Sequence, residues 1–388
     1  MPNLLLLTLL TAFPALSTDM YLPALPHLQQ SWGISLMQAN ASLAAFFACF
    51  SFFLLVHGPL SDRVGRRPVL IGGVTLYVAG SLLCAAADSI GWLIAARLVQ
   101  ATGAAAASAL AMALAKDLYQ GVERQKVLAY MGVLIPLCPM VAPMIGGWML
   151  AFASWRWIFI CQAVAALAAL YGSVRLREPS AERTAGGLLA VAGRYLVVAR
   201  NRRFLAYVFA FSFMGIAFFA FIAGSPDIYI RGFGVSESSY GLYFGLNALG
   251  MMAGSLFCSR LCVGYSPVGI LRVSLLGLVL AGIAMFLAAG DAPLTFTLPM
   301  LAVTFFLGMS RPVSSHLILE QVDTDVGSAS SVLTFCLYMS GALAMAFISL
   351  DWTAKPLVIA AMAVVGGSVP LALVLMIGRR PKKGGHAA

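Results

Sequence analysis

Long apolar runs alternate with short polar ones along the chain, and the apolar runs are of similar size. Twelve reach the roughly 20 residues that a helix needs to cross a bilayer. They fall near 4–22, 40–60, 69–87, 92–114, 127–152 and 157–174, then near 204–223, 240–262, 268–289, 294–319, 329–350 and 356–377. The pattern predicts an all-α polytopic membrane protein with twelve transmembrane helices. Its longest polar stretch, 175–203, divides these helices six and six. Two six-helix bundles are therefore expected, at 1–174 and 204–388, the second with a short cytoplasmic tail. Residues 175–203 form the linker. It carries Gly186 and Gly187, and 188–200 has the pattern of an amphipathic helix suited to an anionic leaflet.

Composition agrees with that pattern. The 388 residues are 61% hydrophobic and 10% charged, where a soluble protein carries roughly 25% charged residues. The net charge of +10 follows topology and does not point to nucleic acid. With the N-terminus in the cytoplasm, 19 of the 24 lysines and arginines lie on the cytoplasmic side. They are Arg63, Arg66, Arg67, Lys116, Arg124, Lys126, Arg175, Arg177, Arg183, Arg194, Arg200, Arg202, Arg203, Arg260, Arg272, Arg379, Arg380, Lys382 and Lys383. Positive charge of this asymmetry predicts both termini inside. The first run lacks a basic n-region and a small-residue cleavage site, so it reads as a retained span. The seven cysteines and four histidines form no zinc or redox pattern, and no metal or cofactor is expected.

A few charges break the apolar runs. Asp19 follows an uncharged run that begins at Leu4, and a carboxylate there faces a bundle interior or an ion pathway. Pro23 and Pro26 predict that the helix stops soon after, and capping of that end in water is the alternative. Arg97 in helix 4 is placed at a similar depth, where it either pairs with Asp19 or snorkels to the outer headgroups. Arg311 in helix 10 either contacts substrate, pairs with Glu320 or snorkels. Asp227 is either a second acid at the outer mouth or a solvated loop residue. Its neighbourhood echoes helix 1: Ser225-Pro226-Asp227-Ile228-Tyr229-Ile230 repeats the Ser, Asp and Tyr of Ser17-Thr18-Asp19-Met20-Tyr21-Leu22, 208 residues later. Repeated halves are common in transporters.

The loop after helix 2 reads Gly58-Pro59-Leu60-Ser61-Asp62-Arg63-Val64-Gly65-Arg66-Arg67-Pro68. This string resembles the loop signature of the major facilitator superfamily. Together with Ser17-Thr18-Asp19-Met20-Tyr21-Leu22-Pro23-Ala24-Leu25-Pro26 it resembles the bicyclomycin-resistance (Bcr/CflA) branch of drug:proton antiporters. Arg97-Leu98-Val99-Gln100-Ala101-Thr102-Gly103-Ala104 is similar to the family's helix 4 motif. Ala142-Pro143-Met144-Ile145-Gly146-Gly147 is similar to its helix 5 antiporter motif, with Ala142 where glycine is usual, and Trp155-Arg156-Trp157-Ile158-Phe159 to the start of helix 6. These matches lie mainly in the first half.

The resemblance implies the major facilitator fold and a monomer that exports hydrophobic small molecules by proton antiport across a bacterial inner membrane, without enzymatic activity. Asp19 and Arg97 are the expected proton-coupling residues. Tyr21, Phe50, Met131, Phe218, Asn247, Arg311 and Tyr338 are the expected substrate contacts. Gly58, Asp62, Arg63, Gly65, Arg66 and Arg67 form the conformational loop. There Gly58 and Gly65 would allow close approach, and Asp62 would cap helix 3 or pair with an arginine. Pro136, Pro139 and Pro143 with Gly132, Gly146 and Gly147 would bend helix 5 and pack it tightly. An importer of a sugar, peptide or organic anion is the rival reading.

Overall fold

The computed structural model describes residues 3–179, 188–288, 290, 292–322 and 325–377. Arg183, Gly186, Gly187, Arg379, Arg380, Lys382 and Lys383 lie outside the described residues, as do the side chains of Pro136 and Arg194. Twelve helices are long and apolar enough to cross a membrane. They are α1 Leu4–Trp32, α2 Leu36–Val64, α3 Arg66–Ala85, α4 Ile90–Leu118, α5 Gly121–Leu150 and α6 Arg156–Arg175, then α7 Arg202–Gly232, α8 Glu237–Leu261, α9 Pro267–Leu287, α10 Pro293–Leu319, α11 Val326–Ile348 and α12 Lys355–Met376. An additional linker helix, Leu188–Arg200, lies where the amphipathic pattern places it. Because the connections are short, successive spans run antiparallel. The N-terminus, the linker and the end of α12 share one face, termed the terminal face below; the other is the far face.

Two pseudo-symmetric six-helix bundles result. Within each bundle small residues let backbones approach at the closest contacts, which is how helices associate where lipid supplies no hydrophobic drive. In the first bundle Gly73 and Gly80 of α3 and Gly103 of α4 leave no room for a Cβ between the two helices. In the second, Gly254 of α8 lies against the Phe305 carbonyl of α10, and Gly308 of α10 against the Met251 carbonyl of α8.

The bundles meet along α2 with α11 and α5 with α8. Toward the far face the contact is close. Gly147 of α5 packs on the Glu237 backbone, and Gly241 of α8 packs on Met144. Asn40 Nδ2 of α2 donates to the Ala223 carbonyl at 3.0 Å and to Ser349 Oγ at 2.9 Å. His27 Nε2 lies 2.6 Å from Glu237 Oε1, and Arg231 reaches Gln29. At mid-depth, Tyr338 of α11 stacks on Phe47 and meets Phe50 and Phe219 edge-on, with centroids 5.7, 5.2 and 5.9 Å apart.

Several boundaries differ from the apolar pattern. The first span does not stop at residue 22 but runs on to Trp32, through a 3-10 turn at Leu22–Ala24. Pro23 and Pro26 do not end it, because each sits in the first turn of the segment that follows, where its missing N–H is not needed. Likewise α7 continues past residue 223 as a wide turn, Asp227–Gly232.

Candidate functional site

Asp19 is the last residue of the regular helix Leu4–Asp19. It lies about 22 Å along the axis from Leu4 and about 20 Å from Trp32 at 1.5 Å per residue. It is therefore near mid-span and only 5% exposed, not a cap in water at an outer end. Its carboxylate accepts a hydrogen bond from Thr18 Oγ1 at 3.0 Å. Among the described residues no cation is ion-paired with it.

The break just after Asp19 changes the backbone bonding. Tyr21 N–H donates to the Thr18 carbonyl and Ala24 N–H to the Tyr21 carbonyl, three residues back instead of four. That shift releases the carbonyls of Ser17 and Met20. A buried carbonyl needs a hydrogen-bond donor, and the fold supplies one to Ser17. Arg97 Nη1 donates to the Ser17 carbonyl at 2.7 Å. Gly146 of α5 presses its bare Cα against the Met20 carbonyl.

Arg97 is fully buried, so it does not snorkel. Its guanidinium lies over the rings of Phe46 (4.4 Å) and Tyr21 (5.1 Å), a geometry that attracts a cation to the ring face. The same Nη1 donates to Gln100 Oε1 at 2.7 Å, whereas Nε and Nη2 are buried without a hydrogen-bond partner. Gln100 Nε2 donates to Ser81 Oγ at 2.9 Å and to Gln162 Oε1 at 2.8 Å, and Gln162 Nε2 donates to the Leu16 carbonyl at 2.8 Å. Four helices thus converge on the turn of α1 that ends in Asp19. Arg97 holds the backbone two residues before the carboxylate and is not ion-paired with the carboxylate itself.

The expected substrate contacts lie in several different places. Phe50, Phe218 and Tyr338 belong to the aromatic group between the bundles, where Phe218 meets Phe219 at 5.9 Å. Met131 of α5 and Asn247 of α8 are buried, and Asn247 Nδ2 bonds the Tyr243 carbonyl at 2.9 Å while its Oδ1 has no partner. Tyr21 is different: it is buried inside the first bundle, with its hydroxyl 3.1 Å from Ser42 Oγ. Arg311 is exposed and does not pair with Glu320, which lies 3.0 Å from His316 instead. That spacing, i to i+4 on one helix face, is better matched than the nine-residue reach from Arg311.

Asp227 is neither an open acid nor a solvated loop residue. Its carboxylate meets Lys355 Nζ at 2.5 Å and Arg231 Nη1 at 3.5 Å. On the terminal face Asp62 pairs with Arg66 at 2.5 Å, and Arg66 Nε reaches Asp117 at 2.9 Å. Asp62 does not cap α3. Glu178, at the start of the linker, caps it by accepting the N–H groups of Arg66 (2.6 Å) and Arg67 (3.0 Å). Gly65, at φ +118°, lies against that carboxylate, while Gly58 and Gly132 face open space and serve no close approach. Arg67 Nη2 bonds the Val174 carbonyl at 2.7 Å, and Arg63 is exposed. Pro139 and Pro143 sit on α5 two turns and one turn, respectively, before the Gly146–Gly147 contact.

The sequence reading missed Gln162, Glu178 and Asn40. A glutamine or asparagine inside an apolar run was the available signal for Gln162 and Asn40.

The fold, its two bundles and its motif loop have a counterpart among known sequences. The profile of the Major Facilitator Superfamily matches residues 7–345. The chain belongs to this superfamily. Major facilitator relatives align over most of its length. It is 28% identical to an uncharacterized MFS-type transporter of Bacillus subtilis (strain 168), covering 90% of this chain and 88% of that protein. It is 29% identical to a bicyclomycin resistance protein homolog of Haemophilus influenzae, covering 88% and 87%. A chloramphenicol resistance protein of Pseudomonas aeruginosa is also 29% identical, covering 86% and 80%. Among solved structures, a D-xylose-proton symporter superposes with a TM-score of 0.75 at 16% identity, covering 97% of each chain. That likeness concerns the major facilitator fold alone.

Proposed function

We infer that the chain exports hydrophobic small molecules in exchange for protons, by alternating access between the units 1–174 and 204–388 about the linker 175–203. The observation that carries this reading is Asp19: a mid-span carboxylate, buried, with no cation paired to it among the described residues. An acid in such surroundings gains and loses a proton as its access to water changes. The resistance proteins among the relatives support export over import.

The terminal face is the cytoplasmic one in this reading, because it carries most of the lysine and arginine. The close bundle contacts toward the far face then make the structure inward-facing. Asp19 delivers its proton to the cytoplasm in this state, and substrate enters against the aromatic group of Phe50, Phe218 and Tyr338. Met131 on α5, Asn247 on α8 and Arg311 on α10 are the other substrate contacts in this reading. Rocking opens the far side, substrate leaves, and Asp19 is protonated again. Asp62 and Arg66 end α2 and begin α3, where closure of the terminal face would bring the second bundle toward them.

Efflux driven by a pH gradient in inverted membrane vesicles tests the reading. The parent protein is expected to accumulate a lipophilic dye in the vesicles, and Asp19→Asn to abolish gradient-driven accumulation. Undiminished accumulation by Asp19→Asn would remove the acid from the mechanism. Gradient-driven movement in the opposite sense would turn the protein into an importer.

A further inference from the structure

We propose that Gln162 of α6 is a positioning residue for Arg97, and through it for the helix break beside Asp19. The bonding order is fixed at both ends. An arginine can only donate, so Gln100 must turn its Oε1 to Arg97 Nη1, 2.7 Å away. A backbone carbonyl can only accept, so Gln162 must turn its Nε2 to the Leu16 carbonyl, 2.8 Å away. Only one orientation of each amide satisfies both ends, and it leaves Gln100 Nε2 facing Gln162 Oε1, where they meet at 2.8 Å. Gln162 thereby sets which way Gln100 points, and Gln100 presents an acceptor to the guanidinium.

The consequence lies in α1. Gln162 and Arg97 hold consecutive carbonyls, Leu16 and Ser17, just before the 3-10 turn. All three side chains are buried, Gln162 and Gln100 together with Arg97, so a lost partner is not replaced by water at no cost. Without Gln162, Gln100 Nε2 keeps Ser81 Oγ as its one remaining acceptor, and the amide that accepts from Arg97 is held less firmly. Nε and Nη2 of the guanidinium have no hydrogen-bond partner among the described residues, so its polar anchorage rests on Nη1 alone, through Ser17 and Gln100. Its release from Ser17 loosens the segment that carries Asp19.

The inference rests on the antiport reading for its effect on transport, but not for its effect on α1. Hydrogen–deuterium exchange of the purified protein reads the second directly. Gln162→Met is expected to raise exchange in the peptide spanning 16–24 by about tenfold, with little change in the peptides of α9 to α12. Ser81→Ala removes the other acceptor of Gln100 and is expected to leave exchange near the parent level. Gln162→Glu keeps the shape and the acceptor but cannot donate to Leu16 when ionised. It is expected to raise exchange by a smaller factor, and it serves should the Met variant not accumulate. Unchanged exchange in both Gln162 variants would overturn the proposal, as would a Ser81→Ala effect equal to that of Gln162→Met.

In vesicles, Gln162→Met is expected to shift the pH midpoint of gradient-driven efflux by about three- to tenfold in proton concentration. Gln100→Met with Gln162→Met should shift it no further than Gln100→Met alone, since one acts through the other. Additive shifts would show that Gln162 acts by another route. If Asp19→Asn still couples while Gln162→Met loosens α1, Asp19 leaves the mechanism and the positioning role stands.

Discussion

The same six-residue pattern recurs in the first span and the seventh, and the two copies differ in what surrounds the acid. Both serines meet a tyrosine hydroxyl: Ser17 with Tyr77 at 2.7 Å, Ser225 with Tyr240 at 2.8 Å. Both tyrosines meet a hydroxyl: Tyr21 with Ser42 at 3.1 Å, Tyr229 with Thr297 at 2.7 Å. The aspartates part company. Asp227 is held by Lys355 and Arg231 near the far face, while Asp19 lies mid-span and, among the described residues, only the Thr18 hydroxyl bonds its carboxylate. Its nearby cation, Arg97, is spent on a backbone carbonyl. A repeat can therefore keep the packing duties of a segment in both halves and keep a free acid in one alone.

The sharpest way to break this comparison is to neutralise each acid. Asp19→Asn is expected to reduce gradient-driven efflux to background in vesicles, and Asp227→Asn to leave the coupling intact. Equal loss in both would mean that the halves share the proton work. Stability separates the segments next. Gly146→Ala would drive a methyl into the Met20 carbonyl, and a backbone obstacle moves less readily than a side chain. The expected cost is about 3 kcal/mol, read as a lowered melting temperature in detergent.

Lys355→Met should cost about 1–2 kcal/mol, because it leaves Asp227 with the longer Arg231 contact alone. Adding Asp227→Asn should recover most of that loss, whereas Asp19→Asn has no paired cation to strand and should not destabilise. The smallest effects belong to the tyrosines. Tyr21→Phe and Tyr229→Phe each remove one buried hydroxyl bond, about 1 kcal/mol apiece. Similar melting shifts for the two would support the shared packing role.

Much of this molecule was readable from its residues. Run length against bilayer thickness gave twelve spans, and the polar stretch 175–203 gave the six-plus-six division. The loop after helix 2 and the helix 1 string pointed to the family. The prolines after Asp19 misled, because Pro23 and Pro26 end a helix only when their missing N–H groups are needed. Here they start new turns, and Asp19 lies deeper for it. Arg311 and Glu320 looked like partners along one helix, yet His316 is the residue at the right spacing.

Apolar run lengths and the placement of basic residues determined the spans, their number and the expected orientation, since both are local consequences of what lipid and water will solvate. Side-chain partners across helices were another matter. Gln162 lies 62 residues from Gln100 and 146 from Leu16, and Asp227 lies 128 from Lys355. No local rule relates such residues. Only the packing of glycine-lined helices brings them within hydrogen-bonding reach, and that packing left one aspartate bound to cations and the other, among the described residues, without one.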